Sequence, residues 1–308
     1  MKEKKIILVT GATGAQGGSV AKALIAEKKF SVRILTRNAK SKKAIELQKA
    51  GAEIAEGDFS NVDSLKAAMK DCYGVFGVTN FWEHYENEYQ QGINLIDAVD
   101  ASGIKHFVLH TLPSYEKLSN GKFPTPHCDI KAAFQEYTQR KGILATFIQV
   151  AFYYENFLSF FPLQPAADGS FHFGFPQGDT KLAMIGIDDL GEMVASIFRH
   201  PIEYIGRTVG AVGADATCNE YAAIMSDVFG VKVQYDYIPR DVYANLGFPG
   251  AEELANMFET QRLHISNRQL DMIESYGLNP RMQSFKSWLI RNREKFESTL
   301  YVGEDAIL

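Results

Sequence analysis

Along the first half of the chain, short apolar runs alternate with stretches whose apolar positions recur every three or four residues. The runs predict strands over 5–10, 31–36, 52–56, 74–78, 106–111 and 145–150. The first, fourth and fifth are apolar nearly throughout, as in parallel strands buried on both faces. Between them, Val20, Ala23, Leu24 and Ala26 lie on or near one face of a helix over 18–28. Val62, Leu65 and Met69 repeat along a second over 61–72, opened by a capping Ser60 or Asn61, and Ile93, Ile96 and Val99 along a third over 89–102. A more polar helix is expected over 128–141. Strands joined by crossover helices predict an α/β protein, a Rossmann-type doubly wound parallel sheet.

Beyond Val150 the texture changes. Phe152-Tyr153-Tyr154 and Phe157, Phe160 and Phe161 make an aromatic run, followed by Pro162, Pro165, Gly169, Gly174, Pro176 and Gly178 in a loop-rich stretch. Helical spacing returns over 188–198, 218–229, 240–246, 251–258 and 284–296. The expectation is a first domain over 1–152 and a smaller, mostly helical second domain over 153–308. A strand and a helix near 181–200 should return to the first domain. No internal repeat or low-complexity tract interrupts this order.

Composition narrows the function. The 308 residues are 46% hydrophobic and carry a net charge of -5, and the pI is near 5.9. No basic surplus exists to release counterions from a phosphate backbone, so direct nucleic-acid binding is not expected. The lysines at 2, 4 and 5 and at 40, 42 and 43 read as solvated or cofactor-facing. Cys72, Cys128 and Cys218 are sparse and unpaired in spacing, which suggests a reducing compartment and no disulfide framework or zinc site. No apolar stretch is long enough to cross a bilayer, and residues 1–5 run into a strand without a leader pattern. The expectation is a cytoplasmic protein, with a nuclear location also open, and with no metal and no membrane partner.

The chemistry begins at Gly11-Ala12-Thr13-Gly14-Ala15-Gln16-Gly17, directly after the first strand and opening a helix. Glycines there let backbone N–H groups approach a pyrophosphate, and the helix N-terminus adds unpaired donors and the positive end of its dipole. A glycine-rich turn alone is weak evidence, but this one sits between the first strand and first helix of a βαβ series, which points to a dinucleotide. The second strand ends Leu35-Thr36-Arg37-Asn38, with Lys40, Lys42 and Lys43 beyond, where an NAD site carries an acidic residue. Arg37 suits a 2′-phosphate, which an acid would repel, so the expected cofactor is NADP(H). Gly57-Asp58-Phe59 can place a carboxylate and a ring beside the adenine, and Thr79-Asn80-Phe81 lies where the cofactor's centre should sit. Each of these two could equally be a helix cap or a turn.

With these residues in place, the chain resembles the NmrA-like family of atypical short-chain dehydrogenase/reductases, and above all its vertebrate NADPH redox-sensing branch. The likeness rests on the glycine turn, Leu35–Asn38 and Gly57-Asp58-Phe59. It extends to Val78-Thr79-Asn80-Phe81-Trp82-Glu83, Phe152-Tyr153-Tyr154-Glu155-Asn156, Asp188-Asp189-Leu190-Gly191, and Leu246-Gly247-Phe248-Pro249-Gly250-Ala251 followed by Leu254-Ala255-Asn256-Met257-Phe258. It stops near 297. The resemblance implies that Tyr153, Tyr154, Glu155 and Asn156 contact the cofactor, that the protein is a homodimer, and that NADPH status changes its conformation and protein partners.

The resemblance also implies where catalysis would lie. Active reductases of this superfamily use a Tyr-x3-Lys pair on the helix after the fifth strand, where the lysine lowers the tyrosine pKa, and a serine just after that strand. This chain reads His127-Cys128-Asp129-Ile130-Lys131, with Thr111 roughly at the serine position. Lys131 can still hold the nicotinamide ribose. His127 is either a proton donor or a helix-start residue without a catalytic role. Cys128 reads as inert packing, and Phe157 and Phe161, spaced as on a helix, as core. The leading expectation is a non-catalytic NADP(H) sensor acting through a protein partner. The alternative is an NADPH-dependent reductase of quinones or small carbonyls, with a small-molecule substrate.

Overall fold

The computed structural model of the protein describes residues 4–265 and 267–300, so the expected second domain's end at 301–308 lies outside the described residues. In chain order the first half runs β1 (Ile6–Val9), α1 (Ala15–Glu27), β2 (Ser31–Thr36), α2 (Lys42–Ala50), β3 (Glu53–Glu56), α3 (Val62–Met69) and β4 (Cys72–Gly77). It continues α4 (Phe81–His84), α5 (Glu88–Ala101), β5 (His106–Thr111), α6 (Tyr115–Leu118), α7 (Pro126–Arg140) and β6 (Ala145–Val150). The second half adds β7 (Phe152–Tyr153), β8 (Gln164–Pro165), β9 (Phe171–Phe175), β10 (Lys181–Ile185), α8 (Ile187–Arg199), α9 (Pro201–Tyr204), β11 (Thr208–Ala211) and β12 (Ala214–Thr217). After these come α10 (Cys218–Phe229), β13 (Val233–Tyr237), α11 (Arg240–Ala244), α12 (Ala251–His264), α13 (Gln269–Leu278), α14 (Phe285–Asn292) and α15 (Glu297–Leu300).

The principal sheet has seven strands in the order β11-β6-β5-β4-β1-β2-β3. All of its pairings are parallel. From β1 the chain builds outward to β2 and β3, then returns to lay β4 against the other side of β1. The order therefore reverses between β1 and β4, and a crevice opens at the carboxyl ends of those two strands. Apolar side chains fill both faces: Ile7, Val9, Phe76 and Ile148 join one cluster, and Leu8, Val75, Phe107 and Phe147 the other.

Besides the four-residue helices α4, α6, α9 and α15, two longer helices lie beyond the sequence expectations, for one reason. In α2 only Ala44 and Leu47 are buried, and in α13 only Ser275 and Leu278, so neither carries an apolar stripe. Ser41 and Gly51, with φ 116, nevertheless cap α2 at its two ends. Helix α3 stops at Met69 rather than near 72 because Asp71 turns the chain at φ 62 and Cys72 already belongs to β4.

The seventh strand of the principal sheet is β11, and not the strand expected near 181. Thr208 to Ala211 pair with Phe147 to Val150, whereas β10 pairs with β7 and β12 in a separate three-stranded sheet. Helix α8 does return to the first half. Gly191 lets it close on α1, since a Cβ there would stand 2.3 Å from the Ser19 carbonyl oxygen. A third sheet, β13-β9-β8, completes the second half. In β9, Phe171, Phe173 and Phe175 alternate with His172 and Gly174, a strand period hidden among turn residues. These rings and those of Phe157 and Phe258 form a core of their own, in which Phe175 stacks on Phe258 at 4.5 Å.

Candidate functional site

The glycine turn occupies the crevice between β1 and β4. Gly11 adopts φ 59, and the Gly14 N–H donates to its carbonyl at 2.9 Å, closing the turn. At Gly17 a Cβ would lie 2.4 Å from the Gly11 and Thr10 carbonyl oxygens, so only glycine lets α1 begin this close to β1. Helix α1 has no side-chain cap and no acidic residue in its first turn, so its own first turn sets no carboxylate against an anion at the leading N–H groups. Gln16 donates through Nε2 to the Tyr153 hydroxyl at 2.5 Å, while its Oε1 is buried with no donor. Lys43 reaches over the turn and donates to the Thr13 carbonyl at 3.0 Å. Bare N–H groups, a nearby cation and an orphaned buried acceptor fit a dinucleotide pyrophosphate and the polar atoms beside it.

Arg37 follows β2 and is already engaged. Its Nη2 lies 2.5 Å from Glu83 Oε1, and Glu83 Oε2 accepts from Asn80 Nδ2 at 3.2 Å. The hydrogen bond to Glu83 holds the guanidinium above its ordinary pKa, outweighing partial desolvation, with the charges of Glu83 and Asp58 adding to the effect. Asp58 Oδ1 accepts from the Ser60 N–H at 2.7 Å. The Phe59 carbonyl accepts from Asn94, and its half-buried ring packs on the apolar cluster under α3 and α5.

Deeper in the crevice, Lys131 is 6% exposed and Glu88 0% exposed. They form an ion pair, joined by Thr79, whose hydroxyl donates to Glu88 Oε1 at 2.5 Å and accepts from Lys131 Nζ at 3.1 Å. Glu88 opens α5, so the helix dipole also favours its charge. His110 lies close by, and burial together with the charge of Lys131 pushes its imidazole well below the ordinary range, leaving it neutral.

His127, in the first turn of α7, meets a carboxylate from the second half. Glu253 Oε1 accepts from the His127 backbone N–H at 2.8 Å and contacts ring Nδ1 at 2.6 Å. A carboxylate can only accept, so Nδ1 carries the proton. The ring packs against Trp82 and Phe81 at 5.5 and 5.8 Å. At the carboxyl edge of β5 and β6, a partly open pocket of about 40 Å³ is lined by Tyr115, Gln149, Phe152, Gln261 and Arg268 among apolar neighbours, room for a few waters. A broad groove of about 910 Å³ runs beside α1 and α8 and contains none of the sequence-predicted site residues.

The chain matches the description of the NmrA-like family over residues 3–288. It belongs to that family. An NmrA-like family domain-containing protein of Dictyostelium discoideum is 33% identical over 243 residues, 76% of this chain and 80% of that protein. The oxidoreductase FrzB of a Cladobotryum species, also named for the NmrA-like domain, is 32% identical over 277 residues, 82% of each chain. Among solved structures, the negative transcriptional regulator NmrA in complex with NADP superposes with a TM-score of 0.84 at 22% identity, covering 97% of this chain and 98% of that one. At that identity the likeness bears on the fold.

Within this NmrA-like protein, the crevice brings together Gly11, Ala12, Thr13, Gly14, Ala15, Gln16 and Gly17 with Tyr153, Arg37 with Asn80 through Glu83, and Thr79 with Lys131. Phe81 is buried against His127. Other sequence-predicted residues face elsewhere. Tyr154 is wholly buried between Phe285 and Trp288. Glu155 caps α8 at the Ile187 N–H and accepts from Trp288 Nε1 at 3.0 Å, and burial raises its carboxyl pKa. The Asn156 carbonyl closes a turn with Ser159 and Phe161. The Thr111 hydroxyl donates to Gln135 at 3.1 Å. Cys128 is 1% exposed, and burial pushes its thiol well above the ordinary range. Sequence reasoning missed Glu88, Glu253 and the placement of Lys43 over the glycine turn. Each acts through a partner far away in sequence, and the two glutamates otherwise read as ordinary residues of a helix's first turn.

Proposed function

We infer that the protein binds NADP(H) in the crevice between β1 and β4 and responds to its occupancy as a regulator, without turning it over. The pyrophosphate would meet the N–H groups of the glycine turn, and Arg37 and Lys43 would face the 2′-phosphate. The single observation that carries the regulatory reading is the engagement of Lys131. In a reductase that ammonium holds the nicotinamide ribose and lowers the pKa of a tyrosine acid. Here it is buried against Glu88 and Thr79, and a histidine stands at the tyrosine position. Taking Lys131 away would leave a buried carboxylate unpaired, a costly arrangement.

Among the contacts that link the crevice to the second half are those of Gln16 with Tyr153 and of His127 with Glu253. A regulator of this kind would signal through the arrangement of its halves to a protein partner, as a homodimer in the cytoplasm or nucleus. The NADP complex of the regulator NmrA favours this class of function.

A second reading, an NADPH-dependent reductase of quinones or small carbonyls, draws on the same histidine. Its Nδ1–H is held by Glu253, and its Nε2 makes no hydrogen bond among the described residues, which suits proton transfer. The oxidoreductase name of the Cladobotryum relative favours it too. A single-turnover experiment separates the two: stoichiometric NADPH, a panel of quinones and aldehydes, and cofactor fluorescence. Binding with no oxidation above a protein-free control supports the regulator. Oxidation by any acceptor, lost in His127→Ala, overturns it in favour of the reductase.

A further inference from the structure

We propose that Glu83 sets the cofactor selectivity of this site by competing with the ribose 2′-phosphate for Arg37. The inference rests on the NADP(H) reading above and goes beyond it, because it assigns a role to an acidic residue that a phosphate-binding site would be expected to avoid.

The geometry is that of a built-in stand-in for the ligand. Glu83 Oε1 lies 2.5 Å from Arg37 Nη2, where a guanidinium takes a phosphate oxygen. Its other oxygen is held by Asn80 Nδ2 at 3.2 Å, so the carboxylate is fixed on the guanidinium rather than swinging past it. Asp58 adds a second negative charge at the same arginine. A dinucleotide bearing a 2′-phosphate must therefore displace Glu83 from Arg37 or sit beside its charge, and both weaken binding. The phosphate still wins the exchange, since it carries nearly two charges and three acceptor oxygens against one charge and two.

A dinucleotide without the phosphate meets a different surface. The Arg37–Glu83 pair can remain intact, and Glu83 and Asp58 offer carboxylates of the kind that accept ribose hydroxyls in NAD sites. Arg37 and Glu83 thus carry both chemistries at one place, and Glu83 narrows the preference that Arg37 alone would impose.

Displacing Glu83 also has a path to the second half of the molecule. Its neighbour Trp82 packs its ring 5.5 Å from that of His127 and over Gly250, where an added Cβ would lie 3.5 Å from the indole. His127 is held in turn by Glu253. A phosphorylated cofactor that moves Glu83 disturbs this contact, and an unphosphorylated one does not.

The test is a binding titration of Glu83→Gln, which keeps one acceptor oxygen, for Arg37 or for Asn80, but removes the charge. NADPH affinity should rise about three- to fivefold, while NADH affinity should stay within about twofold or fall. In an Arg37→Met background the same substitution should change NADPH affinity by less than about twofold, because the competition needs the arginine. NADP should shift the tryptophan emission of the wild type, NAD should not, and Trp82→Phe should abolish the shift. Equal or weaker NADPH binding by Glu83→Gln overturns the proposal while leaving the cofactor reading standing. Absence of NADPH binding in both wild type and variant overturns the cofactor reading, and the proposal with it.

Discussion

Replacing Lys131 by methionine removes an ammonium whose partner, Glu88, has no exposed surface. A buried carboxylate stripped of its cation keeps only the Thr79 hydroxyl, and such losses cost about 3–5 kcal/mol. Glu88→Gln belongs to the same class, but its amide oxygen can still accept from Lys131 and Thr79, so about 3 kcal/mol is expected. The double variant Lys131→Met/Glu88→Gln has no buried charge to compensate and should be destabilised by far less than the sum. The coupling energy should be about 2–3 kcal/mol. Urea unfolding at neutral pH, followed by tryptophan emission and circular dichroism, measures it. Additivity within about 0.5 kcal/mol would refute the view that the two side chains form one buried unit. The same double variant tests the functional reading. If Lys131 is structural, the folded double variant still binds NADPH with affinity near the wild type. A tenfold loss in a fully folded protein would mean that Lys131 leaves Glu88 to hold the cofactor.

Other consequences follow from single side chains. Gly17→Ala places a Cβ 2.4 Å from backbone oxygens, so the glycine turn must shift; NADPH binding should weaken at least about a hundredfold with little change in the circular dichroism spectrum, and retained affinity would contradict the pyrophosphate assignment. Burial pushes the Asp189 carboxyl up to about 6, above its unfolded value near 3.9. The folded state then binds more protons between those values, so this residue's contribution to stability falls as pH rises from about 4 to 6. Asp189→Asn should flatten that decline by up to about 3 kcal/mol, and parallel stability–pH curves for variant and wild type would exclude the effect. Thiol reagents at neutral pH should leave Cys128 and Cys218 unmodified until the protein unfolds, because both are buried and burial raises both thiols. Rapid labelling of native Cys128, read by peptide mass spectrometry, would reopen a redox role for it.

The strands of the principal sheet were legible where burial is two-sided: β2, β5 and β6 span the residues that the apolar runs predict. The glycine turn was legible because its demand is steric and local, set by Gly11, Gly17 and the strand beside them. Elements that carry no apolar stripe were not. Helices α2 and α13 each bury two side chains; α2 is held by its caps, and α13 by neighbours remote in sequence, through Ser275 on Gly210 and Val212. Strand β11 is short, and β10 has the same apolar look, so the pattern cannot tell which of them joins the principal sheet. Register against β6 decides that, and register is a tertiary fact.

The cations of the site were legible and their counter-charges were not. Arg37, His127 and Lys131 were each singled out from position, and each is met by a glutamate: Glu83, Glu253 and Glu88. Cofactor binding here is therefore an exchange of partners as much as a filling of empty space, and the cost of exchange differs sharply among the three. At Arg37 the side chains of the pair are 54% and 47% exposed, and an exposed pair is worth about 0–1 kcal/mol. That is less than a charge-assisted contact to a phosphate returns, about 1.5–3 kcal/mol. At Lys131 the side chains are 7% and 0% exposed, and separating them costs about 3–5 kcal/mol, more than hydrogen bonds from a neutral ribose supply. The His127 pair, 11% and 13% exposed, joins the first half of the chain to the second. Energetics thus lets the cofactor take Arg37 from its glutamate and leaves Lys131 with its own.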